Sequence, residues 1–149
     1  MATKRKVTAG PAKRARTTTA KKPLRKGRSQ AEPPDRGRTL AASIAEVALE
    51  YKALHVEIID VRGKVDYADY VVVMSGGSDR QVNALGRHIE EDLKRHHDAR
   101  CLGIEGMPNG TWLLMDYGDV IVHIFHEDTR GYYDLETLWM DAARVAVER

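Results

Sequence analysis

The sequence is poor in cysteine and in long apolar runs. Cys101 is the only cysteine among 149 residues, which leaves no partner for an internal disulfide and no basis for a cysteine-rich metal site. No apolar run approaches the roughly 20 residues that a transmembrane helix needs. These two shortages exclude a membrane protein and fit a protein of a reducing compartment.

The charges nearly cancel over the whole chain but are distributed unevenly along it. Of 24 basic and 22 acidic residues, residues 1–38 hold 13 basic ones and only Glu32 and Asp35 as acidic ones. Residues 39–149 hold the other 11 basic and 20 acidic residues. A segment of net charge +11 therefore precedes a segment of net charge −9, and the two must be considered separately.

Residues 1–38 are predicted to be a disordered basic tail. The segment has almost no large apolar side chains, and it contains four prolines, so burial cannot offset the entropy lost on ordering. Clustered Lys and Arg gain from counterion release at phosphates, which favours an arm that contacts RNA. A solubilising tail without a fixed partner is the open alternative. A transit peptide is disfavoured because the segment has no amphipathic stripe.

Residues 39–149 are long enough for one domain with one core. The hydrophobic period predicts helices and strands in the order α-β-β-α-β-β-β-α. An apolar run at 69–75 indicates a central strand covered on both faces. We therefore expect an α/β fold, with a mixed sheet of about five strands flanked by helices. The helices are predicted at 40–53, 79–97 and 133–147, and the strands at 55–61, 69–75, 100–104, 111–117 and 119–125.

Nothing in the sequence supports catalysis. Gly77-Ser78 at a helix start, followed by carboxylates a dozen residues later, is typical of nucleotidyltransferases, but Glu90 and Asp92 lie on one helix and diverge by roughly 200°. They cannot share a metal pair. The six histidines lack the spacing of metal ligands, and capping or surface exposure explains them. We expect no enzymatic activity, no metal and no cofactor.

The predicted hairpin over 111–125 has two unlike faces. A two-residue turn at Tyr117-Gly118 would pair Trp112 with His123. One side of the hairpin is then wholly apolar, as a core face should be. The other side mixes aromatic, aliphatic, histidine and carboxylate groups, which favours a partner-binding patch. This patch consists of Trp112, Leu114, Asp116, Ile121, His123 and Phe125, bordered by Tyr133 and Glu136 of the last helix. The alternative is that the last helix covers it.

An ordered set of short motifs between residues 40 and 141 resembles the ribosomal silencing factors, also called the Iojap family. Each motif is unspecific by itself, whereas their order and spacing together are specific. The matching pieces are Asp60-Val61, Ala68-Asp69-Tyr70, Ser75-Gly76, Ser78 with Arg80-Gln81-Val82, Glu105-Gly106, Trp112, Asp116, Gly118-Asp119-Val120, Val122-His123, Arg130, Tyr133, Leu135-Glu136 and Leu138-Trp139.

The resemblance implies a non-enzymatic, nucleotidyltransferase-like fold without catalytic residues. It also implies binding to the large ribosomal subunit through large-subunit ribosomal protein fourteen (uL14). That binding would block association of the ribosomal subunits and repress translation under nutrient limitation. Family members occur in bacteria and organelles, and the poor transit signal favours the bacterial cytoplasm. We expect a monomer or weak dimer. Two rival functions stay open: a degenerate nucleotide-binding protein, and a general RNA-binding protein that acts through the basic tail.

Overall fold

The structure, a computed structural model, describes residues 35–106 and 111–147, without the side chains of Tyr133, Leu135 and Glu136. As far as residue 126, helices and strands follow one another in the order that the hydrophobic pattern predicts. The helices are α1 (Arg36–Glu50), α2 (Asp79–His96), α3 (Glu127–Tyr133) and α4 (Leu135–Leu138). The strands are β1 (Leu54–Asp60), β2 (Tyr70–Gly76), β3 (Gly103–Glu105), β4 (Trp112–Asp116), β5 (Val120–His126) and β6 (Arg144–Val145).

The strands form one mixed sheet in the order β3-β4-β5-β2-β1-β6. β2 pairs in parallel with β5 and antiparallel with β1, while β4 pairs antiparallel with β5. All seven residues of β2 are buried, as the continuous apolar run predicts for a central strand. The α/β class and the mixed sheet are confirmed, with six strands in the described residues instead of about five.

The two faces of the sheet carry cores of different size. α1 and α2 bury their apolar stripes on one face, against Tyr70, Val72 and Met74 of β2 and their neighbours. Side chains alternate across a strand, so Val71 and Val73 point to the other face. There they join a smaller core that residues from the C-terminal segment cover. That second core consists of Ile59, Val61, Val71, Val73, Phe125, Trp139 and Ala142, with Val65 and Trp112 packed against it.

The structure describes the chain from Asp35 onward and begins α1 at Arg36, so residues 36–38, which were expected in the basic tail, are helical. Asp35 is the N-cap of α1, and its Oδ1 accepts a hydrogen bond from Arg38 N at 3.0 Å. Its Oδ2 accepts from the Tyr70 hydroxyl at 2.6 Å and from Arg62 at 3.2 Å. Burial and this carboxylate raise the pKa of Tyr70. The charge pattern alone assigned residues 35–38 to the basic tail. In the structure Asp35 caps α1, and the next three residues form its first turn. The predicted disorder of residues 1–34 lies outside the described residues.

The hairpin turns one residue later than expected. Tyr117 N donates to Val120 O at 2.9 Å, which leaves Gly118 and Asp119 as the two turn residues. Gly118 has a φ of +89°, a conformation that favours glycine. Trp112 consequently lies opposite Phe125, not opposite His123. Moving the turn by one residue shifts the pairing by two, so every side chain keeps its predicted face.

The expected helix over 133–147 is not formed. Asp134 has a φ of +49° and interrupts the helical path between α3 and α4, and the chain leaves α4 after Leu138. Arg144 and Val145 then pair with Ile59 and Ile58, which satisfies backbone groups at the edge of β1. The apolar spacing that indicates one long helix thus belongs to a short helix, a turn and an edge strand.

We predict that Asp35→Ala lowers the free energy of unfolding by about 2 kcal/mol or more. The change removes a helix cap and leaves the buried Tyr70 hydroxyl without this acceptor. Glu46→Ala is the matched control, because Glu46 is an exposed carboxylate on the same helix and its loss should cost within about 0.5 kcal/mol. Urea unfolding of both variants measures the difference. Equal losses for the two variants would contradict a structural role for Asp35.

Candidate partner-binding face

Six side chains of the hairpin lie on one side of the sheet, as the alternation predicts: Trp112, Leu114, Asp116, Ile121, His123 and Phe125. We call this set the Trp112 face. Its three β4 members, Trp112, Leu114 and Asp116, are partly exposed. Its three β5 members are buried, with 8% of Ile121, 7% of His123 and none of Phe125 exposed. Solvent therefore reaches mainly the β4 half of the Trp112 face.

The position of each strand in the sheet explains this division. β5 lies between β4 and β2, where the C-terminal segment covers the sheet. Phe125 packs in the same small core as Trp139 and Ala142. The C-terminal segment therefore covers Phe125, as the alternative to a binding patch predicted. β4 has only the three-residue β3 beyond it. We conclude that Phe125 supports the Trp112 face from within and is not itself available for contact.

Trp112 is held in place by His123 and Phe125. Its indole Nε1 donates to His123 Nδ1 at 3.0 Å. Its ring centroid lies 5.0 Å from that of Phe125 with an interplanar angle of 33°, and 5.9 Å from that of His123. These separations lie in the range of favourable aromatic contacts. A partly exposed tryptophan is thus held by a hydrogen bond to His123 and by ring contacts with both His123 and Phe125.

His123 is neutral at physiological pH. Burial lowers the pKa of His123 to about 4, because transfer out of water disfavours the charged imidazolium. Geometry agrees, since a nitrogen that accepts a hydrogen bond from the indole carries no proton. The remaining proton of the neutral ring is therefore on Nε2.

The two residues expected to border the Trp112 face fall in the short C-terminal helices. Tyr133 is the last residue of α3 and Glu136 lies within α4, but their side chains lie outside the described part. Their proximity to the face therefore stays a prediction. Neighbouring side chains in the same segment are strongly exposed, with 83% of Tyr132 and 67% of Leu138 accessible.

A second site, which the sequence pattern missed, surrounds Arg130. The side chain of Arg130 is buried, and its Nη1 donates to His55 O at 2.6 Å and to Ser75 Oγ at 3.0 Å. It connects the middle of α3 to the start of β1 and to the end of β2, which is a structural role. Beside it lies an open cavity of about 510 Å³, lined by His55, Ser75, Glu127, Asp128, Arg130, Gly131 and Asp134. A sequence motif cannot reveal this site, because its residues lie 55 and 75 positions apart.

The two carboxylates that the nucleotidyltransferase pattern singles out lie on one helix, α2. Within 35–106 and 111–147, no three His, Cys, Asp or Glu side chains are grouped as metal ligands. Glu90 and Asp92 lie two residues apart on α2, as expected, and point in different directions. None of the helices in these two ranges is long and apolar enough to cross a bilayer.

Comparison with known proteins agrees with the motif resemblance. A family model described as "ribosomal silencing factor during starvation" matches residues 34–149. The chain belongs to this family. The ribosomal silencing factor of Bacillus subtilis is 43% identical over 84 residues, which make up 56% of this chain and 70% of the relative.

More distant members extend the comparison to organelles and to a solved structure. A mouse protein named mitochondrial assembly of ribosomal large subunit protein 1 is 32% identical over 87 residues, or 55% of this chain and 37% of its own. A crystal structure from Chromobacterium violaceum has a TM-score of 0.63 at 29% identity, covering 79% of this chain and 94% of the other. The resemblance predicted from motifs is therefore confirmed, and the chain is placed among proteins of translation regulation.

We predict that His123 makes the folded state sensitive to acid. Its pKa is about 4 in the folded state and about 6.5 when unfolded, so the unfolded chain binds the extra proton between these values. The contribution of His123 to the free energy of unfolding is complete above pH 6.5, and it falls by about 3 kcal/mol as the pH drops to 4.

His123→Asn is the matched variant for this prediction, because its amide oxygen can replace the Nδ1 acceptor without titrating. Urea unfolding at pH 7.0, 5.5 and 4.5 should show a smaller loss for the variant than for the natural chain. Carboxylates contribute equally to the pH dependence of unfolding in the natural chain and in the variant, so their effect cancels when the two profiles are compared. Parallel pH profiles would show that His123 is not a buried neutral group.

Proposed function

We propose that this protein represses translation under nutrient limitation by binding the large ribosomal subunit through uL14, which blocks association with the small subunit. The family match and the relatives named ribosomal silencing factor support the silencing role. The name of the mouse relative supports the large subunit as the site of action. The observation that carries the contact itself is the partly exposed, fixed Trp112 on β4.

The chemistry of the Trp112 face fits a protein surface. Trp112 and Leu114 provide aromatic and aliphatic area, while Asp116 adds a carboxylate at one end of the same strand. Protein interfaces are enriched in such aromatic anchors near their centre and in polar groups at the rim. An exposed tryptophan held in one orientation also loses little entropy on binding.

The charge of the folded part favours a protein partner over RNA. Residues 35–149 hold 13 basic and 21 acidic residues, a net charge of −8, which repels phosphates and would oppose direct docking on ribosomal RNA. A ribosomal protein at the subunit interface offers a surface without that penalty. Once bound there, a domain of this size would occupy space that the small subunit needs, so no chemical step is required.

A binding role also explains the structure better than a nucleotide-dependent one. The cavity beside Arg130 is lined by the carboxylates Glu127, Asp128 and Asp134, which oppose the phosphates of a nucleotide. Arg130 itself is engaged by His55 and Ser75. These contacts oppose nucleotide binding, and we propose that the protein is not an enzyme. We also propose, from the family it belongs to, that it acts in the cytoplasm as a monomer or weak dimer.

We predict that Trp112→Ala weakens binding to purified large subunits by more than tenfold, since truncation of a central tryptophan typically costs about 2 kcal/mol or more. Tyr67→Ala is the matched control, because Tyr67 is 59% exposed and lies in the loop between β1 and β2. Co-sedimentation measures binding, and melting temperature is measured on the same samples. The assignment fails if Trp112→Ala binds like the control, or if unfolding accounts for its whole loss.

We predict that deletion of residues 1–34 weakens large-subunit binding without abolishing it. The segment holds eleven basic residues against Glu32 alone, and such a tail speeds encounter with RNA by an interaction that salt screens. The deletion keeps Asp35, so the cap of α1 remains. Binding should therefore depend less on salt after the deletion.

The control for the deletion is a full-length chain in which the tail Lys and Arg residues are replaced by Gln. This variant keeps the length of the tail and removes its charge, so it should behave like the deletion. Complete loss of binding at low salt in either variant would transfer partner choice to the tail and support the general RNA-binding alternative.

A further inference from the structure

The polar group of Trp112 is already used inside the protein. Tryptophan has a single hydrogen-bond donor, its indole N–H, and in Trp112 that donor is directed to His123 Nδ1 at 3.0 Å. His123 is 7% exposed, so the bond lies on the inner side of the ring. What Trp112 offers at the surface is therefore its apolar ring and not its N–H.

We propose that His123 is a positioning residue that takes up the indole N–H of Trp112 and thereby presents the ring to the partner as a fixed apolar anchor. The inference rests on the proposed function and adds the chemistry of the contact. The group that meets Trp112 should be an aliphatic recess or a cation placed over the ring. A hydrogen-bond acceptor aimed at the indole nitrogen would find it occupied.

Geometry on both sides of the indole supports this role. Phe125, which is fully buried, contacts the Trp112 ring at a centroid distance of 5.0 Å and also lies 6.1 Å from the His123 ring, nearly parallel to it. His123 is thus itself held by the core before it orients Trp112. Contacts that restrict a side chain before binding reduce the entropy lost in the complex.

A purely structural role for His123 makes a different prediction. Leu and Asn have nearly the same shape, but only Asn can accept the indole hydrogen bond. Leu suits a buried site, whereas Asn buries an amide that the site does not fully satisfy. If His123 served only the core, His123→Leu would be at least as good as His123→Asn in every assay. If His123 positions Trp112, stability and binding rank the two variants in opposite orders.

The experiment measures both variants at neutral pH, with the full-length protein. We expect His123→Leu to be the more stable variant by urea unfolding, yet to bind large subunits roughly three- to tenfold more weakly than the natural chain, as loss of one neutral hydrogen bond allows. His123→Asn should bind within about threefold of the natural chain despite its lower stability. Equal binding by the two variants, or weaker binding by His123→Asn, would overturn the proposal.

A second readout works without the ribosome. The indole N–H of Trp112 gives its own nitrogen–proton correlation signal, which is assigned by its absence in Trp112→Ala. Exchange of this proton with water should be slow in the natural chain and in His123→Asn, and faster in His123→Leu. Exchange that does not respond to the acceptor would refute the positioning role. If the natural chain does not bind large subunits at all, the proposed function fails while this readout still tests His123.

Discussion

The parallel pairing of β2 with β5 is the constraint on which the rest of the structure depends. It runs from Tyr70 opposite Val120 to Gly76 opposite His126, and it joins strands that are distant in sequence. Parallel neighbours require a crossover, and here that crossover carries α2 over one face of the sheet. After β5 the chain instead passes through α3 to Trp139 on the other face. The two faces are thus covered by different parts of the chain.

Unequal covering of the two faces explains where the accessible tryptophan lies. Two long helices, α1 and α2, bury the first face, whereas a few C-terminal residues around Trp139 and Ala142 cover the second face within the described part of the chain. That cover reaches β1, β2 and β5 and leaves β4 partly exposed. This partly exposed aromatic and aliphatic surface of β4 is the one that we propose as the contact with the partner.

The sequence predicts what depends on local period and fails where distant contacts decide. Alternation correctly assigns Trp112 and His123 to one face, because a two-residue shift in register preserves the side of every residue. The helix predicted over 79–97 forms as α2, and the Ser78 side chain caps it by accepting a hydrogen bond from Gln81 N. By contrast, the apolar spacing after residue 133 could not reveal that Arg144 and Val145 pair with β1. The charge pattern near residue 35 likewise could not reveal that Asp35 accepts hydrogen bonds from Tyr70 and Arg62. Those contacts join residues that are distant in sequence and meet only in the fold.

Burial along the aromatic cluster links stability to binding. Phe125 is fully buried, His123 is nearly so, and Trp112 is partly exposed, so the three rings lead from the smaller core to the surface. A truncation in this series disturbs core packing together with the proposed partner contact, so loss of binding by itself does not distinguish the two effects. The hydrogen bond between Trp112 and His123 can be removed by a substitution of His123 that changes the buried side-chain volume only a little. It is therefore the point at which the contribution of orientation can be separated from that of packing.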